Sequence, residues 1–247
     1  MKILFSPSET KSDLSLNLPI NEDSFCCKKL YKKREEVIHR YQDILDSGDI
    51  NRLNKIFGLK NENKSFELAK INIKSASTCK AIQRYTGVAY DYLDYENLGI
   101  KQKEFIDNNV IIFSNLFGPI LAKDNLPVYR LKQGASIEGF KTEEFYKKNF
   151  SQEIDKLLEK EFIIDLRAGF YEKFYKLDLP HITMKFIKNG KVISHWAKAY
   201  RGKILKELSK YQPDSKSEFE NINFENLKIQ EIISKKNSFE YVFQIEN

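Results

Sequence analysis

The chain has 247 residues, 41% hydrophobic and 31% charged, with 10 glycines and 6 prolines, a profile that excludes a disordered or collagen-like polymer and allows a sizeable core. Lys+Arg of 41 against Asp+Glu of 35 leaves +6, which favours a polyanionic partner only where the charge clusters. The longest apolar runs, Val110 to Phe113 and Phe162 to Ile164, fall far short of the roughly 20 residues of a membrane helix, so no membrane span is expected. The opening MKILFSPSET meets a Ser-Pro turn too early to hold the apolar region of a signal peptide, and the expected compartment is the cytoplasm. Cys26 and Cys27, adjacent on a helix, and Cys79 make neither a disulfide framework nor the spaced pair of a zinc site; a reducing compartment suits them.

Lys2 to Phe5 reads as a strand running into a Ser6-Pro7 loop, and polar residues continue until Ser24 offers a helix cap. Leu30, Arg34, Val37, Ile38, Tyr41 and Leu45 then recur at helical spacing, with the aliphatic stem of Arg34 at the margin of the stripe and Gly48 as the stop. Asp49 caps a second short helix carrying Leu53, Ile56 and Phe57, ended by Gly58, and the two make a helical hairpin. A third helix is expected around Thr78 to Tyr85, before the turn YTGVAY, and another at Lys101 to Asp107. Val110 to Phe113 reads as a buried strand, followed by a loop through Gly118-Pro119 and an extended piece at Pro127 to Leu131. Thr142 to Lys160 is the clearest helix, with Phe145, Phe150, Ile154, Leu157 and Leu158 as its stripe. Phe162 to Leu166 leads as a strand into an aromatic helix, GFYEKFYKL.

Asn189-Gly190 is the favoured turn dipeptide of a hairpin. With Lys188 facing Lys191, one apolar face pairs Phe186 with Ile193, Met184 with His195 and Ile182 with Ala197. The other sets His181, Thr183, Lys185 and Ile187 against Lys198, Trp196, Ser194 and Val192, so that Lys185, Trp196 and Lys198 share a side. A second hairpin pattern, Leu227 to Ile233 and Phe239 to Ile245, flanks SKKNS. No linker or internal repeat divides the chain, and residues 1–247 are expected to form one mixed α/β domain.

This register separates His181 from His195, and His39 lies among polar residues on the first helix, so neither a metal centre nor a cofactor is expected. Without GxSxG, GxxxxGK[ST] or GxGxxG, the hydrolase, P-loop and dinucleotide readings lose their usual support. Asp165, at a strand end beside Arg167 and near Tyr171, suits acid/base chemistry; the same placement suits a structural ion pair or a helix cap. The stretch ISHWAKAYRGKILKEL gathers cations around the chain's only tryptophan. Lys185, Trp196, Lys198, Arg201, Lys203 and Lys206, converging at the hairpin end and the helix that follows, suit phosphates and base stacking, and Gly202 would let a backbone N–H approach an anion. A solvated charged face has the same composition.

Three segments in order, ILFSPSET, FSNLFGPILAKDNLPVYRL and KAYRG, resemble the YaaA family of bacterial peroxide-stress proteins across nearly the whole chain. The family's first segment reads Ser-Pro-Ala-Lys-Thr; Ser6, Pro7 and Thr10 fit it, with Glu9 in the lysine's place. Its middle reads Ser-Gly-Leu-Tyr-Gly, Arg-Pro-Leu-Asp and Tyr-Arg-Leu, matched by Ser114, Leu116, Phe117, Gly118, Asp124, Tyr129, Arg130 and Leu131, with Leu121-Ala122 replacing Arg-Pro. YTGVAY resembles Phe-Lys-Gly-Asp-Val-Tyr through Gly87 and Tyr90, and DLRAGFY keeps Leu166 and Tyr171 but has Phe170 where an acid is expected. Lys198, Arg201 and Gly202 match Lys-Lys-Ala-Arg-Gly.

The resemblance implies a single compact α/β fold, the cantaloupe fold, with a helix-hairpin-helix element, for which Leu30 to Phe57 fits, and a positively charged cleft that binds DNA. It also implies protection from hydrogen peroxide, lower free intracellular iron and less oxidative DNA damage. The expectation is therefore a monomeric DNA-binding stress protein without sequence preference, in which Arg130, Lys185, Lys198, Arg201 and Lys203 bind phosphates and Trp196 stacks on an unpaired base. Arg130 has an alternative as a buried partner of Asp124. The alternative function is an enzyme acting on a nucleic-acid or nucleotide substrate in the same cleft, with Asp165 and Tyr171 as its polar groups.

Overall fold

The structure, a computed structural model, describes residues 1–193 and 196–246. Strand β1 (Lys2–Phe5) buries Ile3, Leu4 and Phe5, as a strand flanked and covered on both faces must. Helices α1 (Tyr31–Ser47) and α2 (Ile50–Phe57) form the pair expected from the spacing. Gly48 ends α1 at φ 63°, a left-handed position that costs glycine no Cβ clash. The Asp49 carboxylate then caps α2 by accepting from the Asn51 and Arg52 N–H groups, worth about 1 kcal/mol. Three details differ from the sequence expectation. Arg34 is fully buried and donates to the Phe117 and Pro119 carbonyls, and Cys26 and Cys27 precede α1 in a turn where Cys27 is left-handed. Ser24 ends a short 3-10 turn capped by Asn21 and does not open α1.

Helix α3 (Glu62–Ala69) has no apolar stripe to announce it; Ser65 is its buried residue. Thr78–Lys80 is strand β2, correcting the helix expected there, because it pairs antiparallel with β5 (Asn125–Pro127). Only Ala81–Arg84 is helical, as α4, and the expected turn at YTGVAY opens α5 (Val88–Leu93). After α6 (Ile100–Asn109), β3 (Val110–Ser114) folds back on β4 (Gly118–Leu121), a strand in place of the expected loop. Its Pro119 is tolerated because β4 lies at the sheet edge. Helix α7 (Thr142–Leu158) buries Tyr146, Phe150, Ile154 and Leu158, one every fourth residue, flanked by half-buried Phe145 and Leu157. Each such side chain removed from water contributes roughly 1.5–3 kcal/mol. β6 (Ile163–Asp165) is followed by a 3-10 turn, Gly169–Lys173, where an aromatic helix was expected.

The remaining elements are β7 (His181–Lys188), β8 (Lys191–Val192), α8 (Ala197–Tyr211), α9 (Lys216–Glu220), β9 (Leu227–Ser234) and β10 (Ser238–Ile245). The hairpin register holds at its turn, with Lys188 opposite Lys191, Ile187 opposite Val192 and the Ile193 N–H donating to Phe186. Beyond that it fails. Ile182 and Thr183 pair with Ile164 and Asp165, so β6 occupies the edge that Trp196 to Lys198 would have needed, and the chain turns into α8. The pairings expected of Met184 with His195 and Lys185 with Ser194 lie outside the described residues. Lys185 and Lys198 therefore do not share a sheet face.

One eight-stranded sheet orders the strands β4-β3-β1-β6-β7-β10-β9, with β8 paired to β7. β3, β1, β6, β7 and β10 run parallel, giving a compact mixed α/β domain around a mostly parallel sheet. The chain order reverses at β1, with β3 on one side and the later β6 on the other. In parallel sheets such a reversal opens a crevice at the carboxyl ends of the strands. Among the described residues no helix is long and apolar enough to cross a membrane.

Candidate functional site

The crevice lies where the topology puts it. A cavity of about 440 Å³ opens at the ends of β1 and β6, floored by Phe5, Ser6 and Leu166. Three crosslinks build its walls. The Ser6 hydroxyl accepts from the Ala168 N–H at 2.8 Å, joining the two strand ends, and the Ser6 carbonyl accepts from the Tyr90 hydroxyl at 2.9 Å. Thr10 ties the 6–10 loop to the next segment: its hydroxyl donates to the Thr86 carbonyl at 2.9 Å and sits 3.1 Å from the Ser8 hydroxyl. Gly87 is at φ 99°, and a Cβ there would press on Thr10 Oγ1 at 3.0 Å; the close approach and the positive φ both require glycine.

Helix α8 supplies the charge. Lys198 and Arg201, one turn apart, line the cavity with Tyr171 and Gln133. Among the described residues Arg201 has no carboxylate within ion-pair distance. Burial disfavours its charge, opposed only by the more distant Asp165 carboxylate. Arg201 also lines a second, more polar crevice of about 670 Å³ that holds Lys147, Lys173 and His181. Lys198 is exposed. The Tyr171 hydroxyl reaches Gln133 Oε1 at 3.5 Å, and burial pushes both the Tyr171 and Tyr90 phenols up, so they remain hydrogen-bond donors at neutral pH.

The structure splits the other sequence-derived residues into groups. Asp165 is held by Arg167 in a two-point ion pair at 2.9 and 2.7 Å and also accepts the Arg167 N–H. Arg130 is not paired with Asp124. Its Nε donates to the Phe57 carbonyl at 2.8 Å and its Nη2 lies 3.5 Å from Glu9, whose other oxygen accepts the Gln133 N–H. The departure at Glu9 thus carries a local partner for Arg130. Asp124 instead accepts from the Cys26 and Leu121 N–H groups, both at 2.9 Å.

Ser114 and Tyr129 are buried in a hydroxyl chain, Ser114 to Tyr129 at 2.8 Å and Tyr129 to Tyr85 at 2.7 Å. Gly118, at φ 68°, leaves room for the Tyr146 ring. Phe170 packs edge-on against Tyr171.

The basic stretch also divides. Lys203 faces a different groove, lying 5.5 Å from the Tyr92 ring centre. Trp196 is 55% exposed at the start of α8. Lys185 is a half-buried position of β7 paired with Val242. Gly202 corrects the anion-approach reading. It is buried, and a Cβ would collide with the Ala89 carbonyl oxygen, so its role is to let α8 touch α5.

Sequence reasoning missed Ser8, Gln133 and Ala168, which contribute a hydroxyl, an amide and a backbone N–H to the walls. It also missed Lys11, whose Nζ donates to the Ser8 and Glu9 carbonyls at 3.1 and 3.3 Å and lies 4.2 Å from the Tyr129 ring centre. Burial, with Arg130 adding to it, pushes the Lys11 amine down to about 7.

A sequence model of the family described as peroxide stress protein YaaA matches residues 1–232. An uncharacterised protein of Campylobacter jejuni is 46% identical over 245 residues, covering 99% of each chain. A UPF0246 protein of Fusobacterium nucleatum is 29% identical over 97% of each chain, and one of Corynebacterium efficiens is 31% identical over 85% of each. The segments quoted from this sequence and the family match over residues 1–232 agree: the chain belongs to the YaaA family of peroxide stress proteins.

Proposed function

We propose that the chain serves in peroxide-stress defence as a monomeric protein that binds DNA without sequence preference, using the α8 face that carries Lys198 and Arg201. Family membership supports the stress role. One observation supports the binding surface: half-buried Arg201 stands between two crevices, and among the described residues no carboxylate is in ion-pair contact with it. A cation so placed can gain a phosphate without first breaking an internal pair. Arg130, Lys185 and Lys203 contribute more weakly in this reading, and Trp196 offers an exposed ring for an unpaired base. The α1–α2 pair acts as the helix-hairpin-helix, its turn meeting the duplex backbone, in the architecture called the cantaloupe fold. Lower free iron would follow indirectly.

The second reading, an enzyme acting on a nucleotide or nucleic acid, draws on the cavity itself, whose lining of Tyr90, Tyr171 and Leu166 encloses more than a phosphate needs. Fluorescence anisotropy with duplex and bulged DNA across a salt series, followed by product analysis of the same samples, separates the two. The binding reading expects salt-sensitive affinity and chemically intact DNA. Absence of binding at every salt concentration would overturn it, and released product would favour the enzyme.

A further inference from the structure

Two adjacent thiols stand apart from the cavity. The Cys26 N–H donates to Asp124 at 2.9 Å, its carbonyl accepts from Arg34 Nη2 at 3.4 Å, and its Sγ lies 4.0 Å from the Pro119 carbonyl. These contacts pin Cys26 between α1 and β4. Cys27 follows in the left-handed region, φ 58° and ψ 44°. Both residues are partly exposed, whereas Cys79 is buried.

The surroundings of the two sulfurs differ. The interaction between the two side chains pushes the Cys27 thiol down and the Cys26 thiol up; Arg34 adds to the first effect while burial opposes it, and burial and the Asp124 carboxylate add to the second. Thiolate character therefore falls on Cys27, and the thiolate is the form that attacks peroxides.

We infer that Cys27 is a hydroperoxide-reactive site and Cys26 its resolving thiol. The Cys27 thiolate attacks one peroxide oxygen; the S–O bond forms, the O–O bond breaks, and the departing hydroxide takes a proton to become water. The Cys26 sulfur, giving up its proton, then attacks the Cys27 sulfenic acid. An S–S bond forms, the S–O bond breaks and a second water leaves. In sum one hydrogen peroxide is reduced to two waters and two thiols are oxidised to one disulfide.

Neighbouring Cα atoms are about 3.8 Å apart, closer than the ~4.4–6.8 Å of ordinary disulfides. A disulfide between adjacent residues would close a small, strained ring that is readily reduced, which suits a reversible response and not a structural staple.

The test treats reduced protein, freed of added reductant, with hydrogen peroxide, alkylates the thiols that remain and weighs the intact chain. Wild type, with 3 cysteines, should lose two alkylatable thiols within one chain and recover them with dithiothreitol. Cys79→Ser should lose the same pair. Cys27→Ser should keep both its thiols at matched exposure, and Cys26→Ser should accumulate a sulfenic acid that dimedone traps on Cys27. Circular dichroism of each variant checks that it is folded. The inference is overturned if folded wild type keeps all its thiols, if Cys27→Ser loses its pair as fast as wild type loses two, or if the disulfides join different chains.

Discussion

Helix α8 carries cations on two faces, and the faces differ in what holds the charge. On one, Lys206 lies 3.1 Å from Asp94 and Lys203 rests near the Tyr92 and Tyr200 rings at 5.5 and 5.8 Å. On the other, Lys198 and Arg201 face the cavity, and among the described residues neither has an ion-pair partner within 4 Å. The residue types are alike. The difference lies in which helical neighbours the fold places opposite them; under the proposed function, a basic stretch serves as a binding surface only where its charges remain unspent.

The largest expected effect breaks the comparison by moving the helix. Gly202→Ala forces a methyl group into the Ala89 carbonyl and should cost on the order of 1–3 kcal/mol, read as a lower urea midpoint; both faces of α8 would shift together. Next, Arg201→Ala should weaken DNA binding about tenfold and reduce the salt slope by about one, as loss of one phosphate contact does, without lowering the urea midpoint. An unchanged slope would remove Arg201 from the surface.

A third kind of cation sharpens the contrast. Lys11 is half-buried against the loop that walls the cavity, and its amine is pushed down to about 7 from 10.5. Between those values the unfolded chain binds the proton that the folded chain has released, so stability should rise with pH across that window and flatten below it. Lys11→Met should remove this slope in urea titrations at pH 7 to 10. The smallest effect belongs to the satisfied face. Lys206→Ala should cost no more than about 1 kcal/mol, as half-exposed ion pairs do, and should leave DNA affinity unchanged.

Much of the sheet was legible because its strands are apolar on both faces: β1, β3 and β6 each read as a short buried run. The α1–α2 pair was legible through its caps, Gly48 and Asp49. What stayed hidden depends on distant partners. Helix α5 has six residues, too few to be stable alone, and owes its position to the gap at Gly202 on α8. The hairpin ran out where β6 claimed the edge of β7. Arg34 and Arg84 carry a residue type usually read as surface, yet both are fully buried and satisfy carbonyls of remote segments. In the cavity, Ser6, Thr10, Gly87 and Tyr90 were marked by resemblance to a family, and only the structure gives their reasons: a strand clamp, a loop tie, a positive φ and a buried phenol. Ser8, Gln133 and Ala168 had no local signal, because a backbone N–H or a wall amide imposes no pattern on its neighbours.

The central claim is that availability, and not charge count, selects the working face of α8. The most direct measurement compares the DNA affinity of wild type, Arg201→Ala and Lys206→Ala across one salt series by fluorescence anisotropy. The account predicts a shallower slope and weaker binding for Arg201→Ala alone, with Lys206→Ala matching wild type. Equal losses in both variants, or a larger loss at Lys206, would contradict it.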